Sequence, residues 1–166
     1  MGASKINLNI KNIGTDLIIR QSEASDLGEI LQLYSQLHPK ETFDELSSSI
    51  QKTWQEINQD NRLFCFVAVI DGTVASTCVL DIIPNLTRGA RSFAVLQNVV
   101  TDKNFRGLGV GAQLNQYAID FAWAKGCYQV LVQTGREEVV GFYEKLGFKK
   151  DKIGLLIKPE WGKSES

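Results

Sequence analysis

An excess of charge of either sign is missing from this sequence. Its 18 Lys and Arg residues face 19 Asp and Glu, for a net charge of −1. That excludes a global field able to recruit nucleic acid or an anionic membrane. Histidine occurs once, at His38, and the carboxylates are scattered, so no metal-ligand cluster is expected. No apolar run is long enough to span a bilayer. The opening MGASKINLNIKN lacks the apolar core of a signal peptide. Ile6 stands where a myristoylation signal beginning at Gly2 needs Ser or Thr. Cysteine is limited to Cys65, Cys78 and Cys127, all in apolar surroundings. An odd count without a spacing pattern predicts buried thiols in a reducing, cytoplasmic compartment. In that setting Asn85-Leu86-Thr87 reads as a chance glycosylation match.

What is present suits one soluble domain: 166 residues, 43% hydrophobic and 22% charged. We expect a mobile arm over residues 1–15, one domain over 16–158 and a tail over 159–166. Leu17 to Arg20 reads as a strand. Ser25-Asp26 offers an N-cap to a helix with Leu27, Ile30, Leu31, Tyr34 and Leu37 on one face, ended by Pro39. Thr42 and Glu45 have the spacing of a capping box, ahead of a second apolar stripe through Phe43, Leu46, Ile50, Trp54 and Ile57. Leu63 to Ile70 and Thr73 to Leu80 flank Asp71-Gly72, the preferred pair for a tight hairpin. PNLTRGARS is a loop, and Phe93 to Val100 a further strand. A helix follows the glycines and ends at Gly126. Tyr128 to Gln133 is a strand, Val139 to Leu146 a short helix, and Phe148 to Ile157 a last strand or two. The order predicts an α+β, or mixed α/β, domain with a largely antiparallel sheet and helices on both faces.

The densest glycine cluster is RGLGVG, from Arg106 to Gly111. A Walker A loop is excluded, because no Gly-Lys followed by Ser or Thr is present. Gly107, Gly109 and Ala112 satisfy G-x-G-x-x-G/A, but TDKNF separates them from the preceding strand. The next strand, YQVLVQTG, offers no carboxylate for a ribose, so the Rossmann context fails. A third reading keeps the whole unit: strand QNVV, loop TDKNF, then Arg106-x-x-Gly109-x-Gly111 opening a helix. Unpaired N–H groups at a helix start favour an anion, and glycine lets a phosphate approach. The alternative is a helix start whose glycines serve close packing.

QNVVTDKNFRGLGVGAQL followed by GFYEKLGF resembles the acetyl-coenzyme A and C-terminal motifs of the GNAT superfamily of N-acetyltransferases. The element order from about Leu17 to Ile157 resembles the GNAT fold as well. The resemblance implies acetyl-CoA as co-substrate, no metal, a small-molecule amine as acceptor and, as is common in the superfamily, a homodimer. By the same resemblance the backbone of Val99 and Val100 pairs with pantetheine beside a bulge. Asn98, a poor strand former, is placed at that bulge. Arg106, Gly107, Leu108, Gly109, Val110, Gly111 and Ala112 wrap the pyrophosphate, and Tyr143 protonates the departing thiolate. Arg136 stands near where relatives carry a cofactor-touching Asn. Gln97 stands where many relatives carry a Glu and has no useful basicity, which leaves Asp81 as a weak candidate for the base. His38 reads as a C-cap. The acceptor is expected between the first two helices and the central strands, with Gln97, Arg88 and Arg91 as its contacts and the arginines suited to an anionic group. Two other readings remain open: an acetyl-CoA sensor with impaired catalysis, and a lysine or N-terminal protein acetyltransferase.

Overall fold

The computed structural model describes residues 16–151 and 153–159. They fall into two compact units divided between Val132 and Gln133. The arm at 1–15 and all but the first residue of the expected tail lie outside the described residues.

The first unit holds a five-stranded sheet in chain order: β1 (Leu17–Gln21), β2 (Leu63–Ile70), β3 (Thr73–Ile83), β4 (Phe93–Thr101) and β5 (Val130–Val132). The first four pair antiparallel, and β5 runs parallel to β4. The β2–β3 turn puts Asp71 at φ 50° and Gly72 at φ 79°, the left-handed pair that a tight hairpin with this twist demands.

Alternation along β2 sends its side chains to two different helical layers. On one face Cys65, Val67 and Val69 join Leu27, Ile30 and Leu31 of α1 (Leu27–Leu37) and Trp54 of α2 (Ser48–Gln59). On the other, Phe64 and Phe66 meet Phe121 of α3 (Val110–Ala124) with ring centroids 4.7 and 5.1 Å apart, and Phe66 meets Tyr117 at 5.3 Å. Period-2 burial against two helical stripes is what pins the register, since a one-residue slip would exchange the layers.

The second helix starts later than its sequence suggests. Thr42 and Glu45 form no helix start; α2 begins at Ser48. Asp44 takes over locally. Its carboxylate accepts from the Leu46 N–H (3.0 Å) and its carbonyl from the Ser47 N–H (3.0 Å), closing a turn. A short acidic side chain that satisfies nearby amides competes with helix in this way. Leu46, expected in the apolar stripe, is exposed, whereas Phe43 still packs on the core.

β1 is tied to α1 by a bidentate pair. The Arg20 guanidinium donates to both Asp26 oxygens, at 2.6 and 2.9 Å, and Asp26 also accepts from the Glu23 N–H at 2.7 Å. Burial pushes the Asp26 carboxyl up, but those donors outweigh it and hold it below its ordinary value. Arg20→Ala leaves this carboxylate without its cation. The pair is partly buried, so the expected cost is about 2 kcal/mol, between an exposed and a fully buried pair. Because the folded pKa is depressed, the stabilisation is complete above the ordinary carboxylate pKa. It fades as pH falls through the lower, folded value. Thermal melts across pH should therefore show the wild-type advantage over Arg20→Ala at neutral pH and its shrinkage in acid.

The second unit contains α4 (Val140–Lys145), ended by Gly147 at φ 92°. The strand expected over Phe148 to Ile157 is a correction: no strand is found there among the described residues. Ile153, Leu155 and Ile157 are exposed. Apolar, strand-prone residues form a strand only where an edge pairs with them. No helix of the described residues is long and apolar enough to cross a membrane.

Candidate active site

The site is built where β4 stops being regular. Thr77 pairs with Val100 and Val79 with Gln97, so Cys78 alone faces two residues, Asn98 and Val99. Asn98 takes φ 51° to make this bulge, a left-handed conformation that asparagine tolerates better than most residues. The bulge lies where the sequence placed it. It turns two consecutive side chains, Gln97 and Asn98, onto the same cavity wall, and Val100 then returns to the core.

The opposite edge of β4 is open. β5 pairs with Ala94, Val95 and Leu96 only; from Gln97 onward no described strand lies on that side. An extended ligand could add to this edge by main-chain hydrogen bonds.

Beyond β4 the chain makes a short 3₁₀ turn at Lys103–Phe105 and reaches the glycines. Gly107 (φ 78°) and Gly109 (φ 82°) are both left-handed. An added Cβ would meet nothing within 4 Å at Gly107, and at Gly109 only the Gln113 amide at 3.8 Å. These glycines are thus not explained by close packing; backbone conformation and outside access explain them. Gly109 is the N-cap of α3, and the first intrahelical bond runs from the Gln113 N–H to its carbonyl (3.0 Å). The N–H groups of Val110, Gly111 and Ala112 are accordingly those a helix start leaves without intrahelical partners. The Asn115 amide, fully buried, donates to the Gly111 carbonyl at 2.6 Å and pins this first turn. Arg106 donates from Nε to the Thr101 carbonyl at 3.0 Å, anchoring its guanidinium at the end of β4.

One residue of this site carries no signal in the sequence. Gln36, on α1, donates to the Asp102 carboxylate at 2.7 Å and accepts from the Lys103 N–H at 3.0 Å. Asp102 also caps the Asn104 N–H (2.8 Å). These bonds, that from Gln36 first, hold the Asp102 carboxyl below its ordinary value. They fix how the glycine turn leaves the strand.

On the helical side of the bulge lies a cavity of about 450 Å³ between α1, α2 and the strands. That is where the acceptor was expected. Its walls are mostly apolar, with Leu31, Ile50, Trp54 and Ile57 among them, and its polar atoms come from Tyr34, Ser49, Thr53, Gln97, Asn98 and the His38–Glu41 pair (3.6 Å). Burial raises the Tyr34 hydroxyl well above its ordinary value, against a hydrogen bond with the Asn98 side chain that lowers it. Tyr34 reads in the sequence as one more member of an apolar stripe; its hydroxyl reaches the bulge.

Three expectations are not met in this cavity. Arg88 and Arg91 do not line it. They sit on the exposed turn Thr87–Ala90 and after it, with Arg91 Nε donating to the Arg88 carbonyl at 3.0 Å. The left-handed Arg88 (φ 57°) and Gly89 (φ 73°) reverse the chain there. Asp81 does not line the cavity either, being paired in β3 with Leu63 and Val95. His38 is the C-cap of α1, as expected, and lines the cavity as well.

Tyr143 belongs to the second unit, on α4, with its ring 5.1 Å from that of Phe142 and 5.8 Å from that of Phe148. Arg136 is exposed there, with its N–H donating to the Thr134 hydroxyl at 3.1 Å.

The acetyltransferase (GNAT) family profile matches residues 27–148. The chain belongs to the GNAT family. A glucosamine 6-phosphate N-acetyltransferase of Trypanosoma brucei brucei is 31% identical over 135 residues, covering 81% of this chain and 90% of that protein. One from Arabidopsis thaliana is 27% identical over 141 residues, covering 82% and 93%. A solved Trypanosoma brucei acetyltransferase superposes with a TM-score of 0.76 at 29% identity, covering 87% of this chain and all of that one. This GNAT protein is an N-acetyltransferase, and its mixed sheet with helices on both faces is the fold expected of it.

Proposed function

We propose that this protein transfers the acetyl group of acetyl-CoA to the primary amine of a small molecule, by direct attack within a ternary complex. The observation that carries the reading is a continuous one. A bulge at Asn98, an open strand edge over Gln97–Thr101 and a helix start freed by two left-handed glycines follow one another along a single stretch of chain. The curated relatives, named for a sugar-phosphate amine, support a small acceptor.

Acetyl-CoA supplies the acyl group and a thiolate leaving group. The N–H groups of Val110, Gly111 and Ala112, with Gly107 and Leu108 in the turn and Arg106 beside it, hold the pyrophosphate. Anions are stabilised at such a helix start by oriented amides and the helix dipole. The main chain of Val99 and Val100 pairs with pantetheine, and an N–H in that stretch holds the carbonyl oxygen as charge develops on it. The neutral amine attacks the thioester carbon from the cavity side, the C–S bond breaks as the carbonyl re-forms, Tyr143 donates its proton to the departing thiolate, and the proton released by the acylated nitrogen restores Tyr143 through solvent. Gln97 takes no proton. The cavity carboxylate able to accept the ammonium proton, through water, is Glu41.

Calorimetry with CoA and a thiol-release assay with acetyl-CoA test this together. Micromolar CoA binding and amine-dependent thiol release are expected. Gln97 is the observation favouring a second reading, a sensor. Tight CoA binding with no release from any amine would select it.

A further inference from the structure

The relatives named above act on glucosamine 6-phosphate, yet the cavity is a poor match to a sugar phosphate. Among the described residues that line it there is no lysine and no arginine. The lone acid is Glu41, and the lone group able to become cationic is His38, already beside it. A phosphate held here would meet a carboxylate and no fixed cation among the described lining residues. A polycationic aminoglycoside would need several carboxylates and finds one. What the walls offer is apolar contact: Leu27, Ile30, Leu31 and Trp54 are all buried core residues that also face the cavity. Apolar ligand surface laid against such walls is removed from water, which favours an apolar body. Polar atoms come from two sides: Tyr34, Gln97 and Asn98 at the bulge, and His38, Glu41, Ser49 and Thr53 from α2 and the end of α1.

We infer that the acceptor is a primary amine with an uncharged, apolar body, an arylalkyl or alkyl monoamine, whose hydrophobic part lies between α1 and α2 and whose nitrogen points to Gln97 and Asn98. This rests on the acetyl-transfer reading. The volume, about 450 Å³, lies within the range of small-molecule pockets, ~300–1,000 Å³. The polar side of the cavity carries at most one net negative charge, which admits an ammonium ion and repels an anion.

The test uses the full chain with acetyl-CoA and three probes: 2-phenylethylamine, glucosamine 6-phosphate and tobramycin. Thiol release should give 2-phenylethylamine a kcat/KM at least 100-fold above that of either other probe. Calorimetry on the enzyme–CoA complex should show 2-phenylethylamine binding and no binding of glucosamine 6-phosphate. A second arm adds the missing cation at an exposed lining position. Thr53→Arg should raise KM for 2-phenylethylamine about tenfold with kcat nearly unchanged, and should improve the use of glucosamine 6-phosphate. Arg88→Ala combined with Arg91→Ala should leave KM for 2-phenylethylamine unchanged. Preference for the sugar phosphate or for tobramycin overturns the inference and leaves acetyl transfer standing. No thiol release with any probe, in an enzyme that binds CoA, overturns the acetyl-transfer reading and this one with it.

Discussion

Gly109→Asp is expected to weaken CoA binding at least ~100-fold while the melting temperature moves by only a few degrees. The two halves of that result have separate causes. Gly109 is the N-cap of α3, a position where aspartate is among the favoured residues and gains from the helix dipole by ~0.3–1 kcal/mol. Its φ of 82° costs a non-glycine residue ~1–2 kcal/mol, and aspartate is among the least penalised there. The Cβ has room, with its nearest neighbour 3.8 Å away. For the fold the terms nearly cancel. For a diphosphate they do not. The new carboxylate turns to the same amides the ligand needs and adds a like charge. At ~4 Å and an effective dielectric near 20, that repulsion is about 4 kcal/mol, while each tenfold in affinity takes about 1.4 kcal/mol. Calorimetry with CoA beside a thermal melt reads both. Unchanged affinity in the folded variant would remove residues 106–112 from the cofactor site.

Tyr143→Phe should leave the CoA dissociation constant within twofold and lower kcat by ~10²–10³, the usual worth of a positioned acid. Phenylalanine keeps the ring and its edge contacts with Phe142 and Phe148, so α4 loses no packing. What goes is the hydroxyl, and with it the proposed proton source. A phenol, near pKa ~10 in general, holds its proton at neutral pH yet yields it to a thiolate forming beside it. The signature is therefore a loss in kcat with binding intact. It should be larger in a pre-steady-state single turnover than in any equilibrium titration of CoA. An undiminished kcat would assign the ring to packing alone.

Much of this arrangement is legible in the sequence, and the reason is local. The Asp71-Gly72 hairpin, the α1 stripe ended before Pro39 and the helix opened by Gly109 each carry their cause within a few residues. The bulge was legible for the same reason: Asn98 is a weak strand former inside FAVLQNVV. What escaped depends on partners far along the chain. Gln36 reaches Asp102 across 66 positions, and nothing in either neighbourhood marks it. Tyr34 sits at correct helical spacing for a core residue, so periodicity absorbed it and hid the hydroxyl that meets Asn98. Thr42 and Glu45 had the right spacing for a cap, but Asp44 lay between them and closed a tighter turn first. The arginines of the 84–92 loop have the charge for an anion, but the chain reverses at Arg88 and Gly89 and neither arginine lines the cavity.

The extra residue in β4 has a consequence for how this scaffold can change. Without it, every position from Gln97 to Thr101 would match one on β3, and the left-handed strain at Asn98, on the order of 1–3 kcal/mol, would vanish. A shortened variant lacking Asn98 would thus gain a smoother hairpin and lose the irregular edge at which the proposed function places the thioester. Selection on durability alone would erase this irregularity. The chain keeps a less comfortable backbone here, at the point where the proposed acetyl transfer would use it.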